Sequence, residues 1–76
     1  MAEKQYRDQE YLEKLGKHLK DVREDRGMSQ EEFADFCDLD TRQIGRIERA
    51  ETNSTISILK KIADKLNMPV SKLLDL

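Results

Sequence analysis

One cysteine, one proline and no tryptophan occur among the 76 residues. Cys37 alone cannot close an internal disulfide, and its neighbours suit a small buried apolar side chain rather than a redox or metal group. His18 is the single histidine; beside Leu19 and without a ligand partner it reads as a surface residue, so no metal site and no cofactor are expected. One His, one Cys and no paired acids give no nucleophile–base set, which argues against an enzyme. Aromatic residues are 5% of the chain and β-branched runs are missing, which disfavours a sheet. No apolar run approaches the roughly 20 residues of a membrane span, and no signal-peptide pattern is present, so a cytoplasmic protein is expected.

What is present is charge and helical period. Charged residues make up 39% of the chain, yet the apolar ones recur regularly, as a folded domain requires. A chain this short is one small domain, and helices suit so compact a core. Leu12, Leu15, Leu19 and Val22 mark a first helix ending near Asp25, with Gly27 placed to stop it and Met28 to staple the turn. Ile56, Leu59, Ile62, Ala63 and Leu66 mark a fourth helix with Thr55 as its cap. Pro69 fits the first turn of a short fifth helix. The expected fold is all-α and compact, with five helices over residues 12–76. Residues 1–11 form a lead-in or a helix extension.

The organising stretch is residues 29–48. Ser29 with Glu32 makes one capping box, and Asp40 with Gln43 makes another. Each starts a helix, over about residues 30–37 and 41–49. Between them Asp38 supplies the left-handed residue of a sharp turn. In the later helix Ile44 and Ile47 form a dry side, while Arg42, Arg46 and Arg49 share the opposite face. Net charge is only -2, but it is unevenly spread. Residues 27–40 hold five acids and no base; residues 41–61 hold five bases and two acids. The bland account of such blocks is solvated surface; the alignment of the arginines favours an anionic partner.

This chain resembles the Cro/repressor-type helix-turn-helix family, also called XRE-like. The matching residues are Leu19, Val22, Arg23 and the run from Gly27 to Ala34, then Leu39, Ile44, Ile47 and Glu48, and later Ile56, Leu59, Ile62, Ala63, Leu66, Leu73 and Leu74. Two positions depart: Asp38 stands where the family's turn usually has Gly, and Gly45 where its recognition helix often has Ser or another polar residue.

The resemblance implies a lambda-repressor-like domain that lays its third helix in the major groove of double-stranded DNA. Thr41, Arg42, Gln43 and Arg46 then stand where side chains reach base edges, with Arg able to fork onto guanine and Gln onto adenine. Arg49 would meet a phosphate, and Gln30 another at the start of the second helix. Thr52, Asn53 and Ser54 could bind phosphate or simply shape a turn; both readings stay open. A homodimer on a palindromic operator is the family's usual arrangement; Met68, Val70, Leu73, Leu74 and Leu76 are its expected interface, the alternative being that they simply close the core. The family also implies an ion pair between Arg23 and Glu48. The expected function is a repressor or autoregulator of transcription, with no small-molecule ligand and no membrane. The size is similar to restriction–modification controller proteins. The competing reading is a protein-binding module such as an antitoxin.

Overall fold

In a computed structural model, which describes residues 6–76, the chain forms five helices in the order α1 (Gln9–Asp25), α2 (Gln30–Cys37), α3 (Thr41–Glu48), α4 (Ile56–Lys65) and α5 (Val70–Leu73). Among the described residues there is no strand. No helix among the described residues is long and apolar enough to cross a membrane. Residues 1–5 of the lead-in lie outside the described part.

Local chemistry starts each helix. Asp8 accepts a hydrogen bond from the Tyr11 N–H at 3.1 Å, so α1 begins at Gln9 and takes in the end of the expected lead-in. At α2, Ser29 accepts from the Glu32 N–H at 3.0 Å, and the Glu32 carboxylate accepts from the Ser29 N–H at 2.8 Å. The Ser29 backbone bond, then its hydroxyl, hold the Glu32 carboxyl below its ordinary pKa. The second capping box forms at Asp40 with Gln43, and Thr55 caps α4 through the Ile58 N–H. Pro69 stands just before α5 rather than inside its first turn.

The first four helices also end alike. Gly27, Asp38, Ala50 and Asn67 have φ of 69°, 56°, 58° and 58°. The next residue's N–H then reaches back to a carbonyl one turn earlier, as in Leu39 to Ala34 at 2.8 Å and Glu51 to Arg46 at 2.8 Å. This is the Schellman ending, which favours Gly and accepts Asn or Asp. Asp38 thus serves as the turn residue, and Lys65 of α4 neutralises its carboxylate at 3.2 Å.

The core gathers Leu15, Leu19, Phe33, Ala34, Cys37, Ile44, Ile47, Leu59, Ile62, Ala63, Leu66 and Leu73. Cys37 is fully buried, and burial pushes its thiol up to about 11, so it stays an inert apolar group. Ile56 begins α4 as its spacing indicates and is 66% exposed there, before the helix reaches the core. One expectation needs correction. Leu73 is 0% exposed and belongs to the core, so it offers no side chain to a second copy. The helix carrying it is four residues long, and Leu73 is its one fully buried residue. Met68, Val70 and Leu74 lean on the same core, and Leu76 remains 41% exposed. Leu76→Glu should therefore leave the unfolding free energy of a single copy within about 0.5 kcal/mol of the parent, as read by urea unfolding in protein dilute enough to be monomeric. A loss several times larger would place Leu76 in the core.

Candidate nucleic-acid interface

Helix α3 is presented by its neighbours. Ile44 and Ile47 are buried, so Arg42, Gln43, Arg46 and Arg49 are turned outward. α1 and α2 both pack on α3. The joint with α1 has two parts. At one, Gly16 lets the backbones touch: a Cβ there would lie 2.5 Å from the Ile47 carbonyl oxygen and 2.6 Å from that of Glu48. At the other, the Arg23 guanidinium donates to Glu48 Oε2 at 2.7 Å and to Oε1 at 3.1 Å. The two side chains are 10% and 3% exposed. Arg23 also donates to the Met28 carbonyl at 2.8 Å, and Gln30 donates to Glu48 Oε1 at 3.0 Å. The hydrogen bond to Glu48 holds the Arg23 pKa above its ordinary value, against the opposing effect of burial. The family-based ion pair is thus present, more buried than an ordinary surface pair.

Five of the expected site residues, Gln43, Arg46, Thr52, Asn53 and Ser54, fall around one cleft. Gln43, Arg46, Ile47, Thr52, Asn53, Ser54, Thr55 and Ile58 line a depression between α3 and the start of α4. Thr41 and Arg42 are exposed at the N-terminal turn of α3, with Arg42 3.7 Å from Asp40. Several polar groups already have partners. Gln43 Oε1 accepts from the Asp40 N–H at 3.0 Å, within the capping box. Asn53 donates its amide to the Tyr6 carbonyl at 3.1 Å. Gln30 turns its amide inward to Glu48, so its side chain serves the ion pair, and only the first turn of α2 faces outward at that position.

Arg49 carries the largest difference from the simple picture. Its guanidinium forks onto Glu51, at 2.9 and 3.2 Å, and lies across Gly45. That contact raises the Arg49 pKa and lowers that of Glu51. Gly45 therefore makes room for Arg49 rather than leaving α3 bare. A Cβ at Gly45 would lie 2.8 Å from Arg49 Nη1, the far end of a flexible side chain.

Sequence reasoning missed Gly16 and the lead-in. Gly16 sits between Leu12 and Leu19 on the apolar side of α1, and a glycine inside that stripe signals close backbone approach.

Comparison with known proteins agrees with this geometry. A family model described as helix-turn-helix, HTH_3, matches residues 19–73. The HTH-type transcriptional regulator SutR of Escherichia coli (strain K12) is 39% identical over 57 residues, 75% of this chain and 32% of that protein. Control protein C.SmaI of Serratia marcescens is 39% identical over 60 residues, 79% of this chain and 71% of that one. The crystal structure of the restriction–modification controller protein C.AhdI from Aeromonas hydrophila superposes with a TM-score of 0.75 at 32% identity, covering 82% of this chain and 94% of that one. The chain thus spans about a third of SutR but most of the two controller proteins. These likenesses favour a regulator over an antitoxin-like module. With the caps, the left-handed turn at Asp38 and the outward arginines of α3 all in register, the chain belongs to the helix-turn-helix family HTH_3, a family of DNA-binding transcriptional regulators and not an enzyme class.

Proposed function

We propose that the chain binds a palindromic DNA operator as a cytoplasmic homodimer and represses or autoregulates transcription. The observation that carries this reading is the outward row on α3, Arg42 and Arg46 with Gln43, over a helix whose other side is fully buried. The major groove admits one α-helix, and side chains near its N-terminus meet base edges. Thr41, Arg42, Gln43 and Arg46 are the base readers. Arg49, Thr52, Asn53, Ser54 and the start of α2 at Gln30 serve phosphates. The likeness to controller proteins supports a regulator of this size. Two copies double the contact area, and the outer surfaces of Met68, Val70, Leu74 and Leu76 join them, with Leu73 inside each copy. No small molecule is needed.

Salt provides the test. The logarithm of affinity should fall linearly with the logarithm of salt, with a slope of about -0.9 per phosphate neutralised. Fluorescence anisotropy with labelled duplex measures it, and an affinity flat from low to physiological salt would end the reading. Arg42→Ala and Arg46→Ala should each cost about 1–3 kcal/mol at one base pair, whereas Arg49→Ala should weaken all sequences alike. Binding to a set of single-base-pair operator variants separates these outcomes.

A further inference from the structure

Among the four left-handed helix ends, the one after α3 is unusual. Gly27, Asp38 and Asn67 are residue types that accept positive φ; Ala50 is not, and it holds φ 58°. Its methyl group is buried, at 4% exposure. Something must hold this bend, and it lies immediately before the loop that lines the cleft beside α3.

The support comes from the other end of the chain. Arg7 Nη2 donates to the Ala50 carbonyl at 2.5 Å, and Gln9 Nε2 donates to the same oxygen at 3.1 Å. Arg7 Nη1 is 3.4 Å from the Glu51 carbonyl, and its Nε donates to Gln9 Oε1 at 2.7 Å. The Tyr6 carbonyl accepts from the Asn53 amide. Residues 6–9 therefore strap residues 50–53 by hydrogen bonds more than 40 positions apart in sequence. A guanidinium suits the place: it has several donors in a rigid fork, and the C-terminal end of a helix favours a cation.

We propose that Arg7, together with Gln9, is a positioning residue for DNA binding. It holds Ala50 in the left-handed state and so presents residues 52–55 to the DNA backbone, touching no base itself. The inference rests on the DNA-binding reading above.

The test joins two readouts on the full chain. In the free protein, amide hydrogen exchange of Glu51 reports whether the bend is held, since its N–H closes the end of α3 on Arg46. Arg7→Ala should speed that exchange and weaken operator binding, each about tenfold, the size set by the cost of a left-handed non-glycine residue. The salt slope of binding should stay unchanged. Arg7→Lys should behave like Arg7→Ala, because one ammonium nitrogen cannot replace the rigid fork whose three nitrogens reach Gln9, the Ala50 carbonyl and the Glu51 carbonyl separately. Ala50→Gly should rescue both readouts in the Arg7→Ala background, because glycine takes positive φ without support. Unchanged exchange in Arg7→Ala overturns the proposal whatever the DNA result. Faster exchange with unchanged affinity also overturns it, leaving the strap without a part in binding. A salt slope reduced by about one in Arg7→Ala, with Arg7→Lys binding like the parent, would make Arg7 a direct phosphate contact instead. A parent that binds no duplex would refute the DNA reading separately, since the exchange readout needs no DNA.

Discussion

Arg23→Met is expected to lower the unfolding free energy by about 3–5 kcal/mol and to weaken DNA binding as well. The mutation removes one partner of a buried pair and leaves the Glu48 carboxylate, 3% exposed, with only the Gln30 amide. An exposed pair would be worth no more than about 1 kcal/mol; burial decides the larger figure. Small domains have roughly 5–15 kcal/mol of stability in total, so the loss is a large share of it. DNA binding suffers because Arg23 joins α1, the Met28 turn and α3 in one cluster. Arg23→Met combined with Glu48→Leu should recover most of the stability, since an apolar pair of similar volume carries no desolvation cost. Urea unfolding of the three variants tests this. A single mutant within about 1 kcal/mol of the parent would mean that the pair behaves as a surface pair.

Gly16→Ala should have the next largest effect, about 3 kcal/mol of destabilisation. In an exposed helix the same change gains about 1 kcal/mol from helix propensity. Here the added methyl would lie 2.5, 2.6 and 2.9 Å from backbone atoms of Ile47 and Glu48. Backbone cannot rotate aside as a side chain can, so α1 and α3 must separate, which disturbs the core and the pose of α3 together. Gly45→Ala is the natural control. Its methyl meets only the tip of Arg49, which can swing into solvent, so propensity should win and the domain should become more stable. Thermal unfolding distinguishes the pair by sign. Equal shifts in both would show that the Gly16 contact relaxes freely.

The contrast between these glycines marks how far the sequence is legible. The helix starts at Ser29, Asp40 and Thr55 can be read directly, because a cap binds the backbone two or three residues on. The left-handed turn at Asp38 and the arginine face of α3 follow from short-range rules too. Arg23 and Glu48 are 25 residues apart, and only the family register joins them. Gly16 against Ile47, Arg7 against Ala50 and Asn53 against Tyr6 are contacts between distant parts of the chain, about which periodicity is silent. Leu73 and Ile56 show the same limit from the other side. Apolar spacing marks both, and the place where each helix meets the core decides that one is buried and the other exposed. Arg49 aligns with Arg42 and Arg46 on the wheel, yet a neighbouring Glu51 holds it in the free protein.

Selection of bound duplexes from a random pool, run in parallel on the parent and on Arg46→Ala, tests the central claim that α3 reads bases. The parent should enrich an inverted repeat with half-sites about one helical turn apart. Arg46→Ala should enrich the same repeat with preference lost at a single base pair in each half. An identical profile from both proteins, or no enriched sequence from the parent, would contradict it.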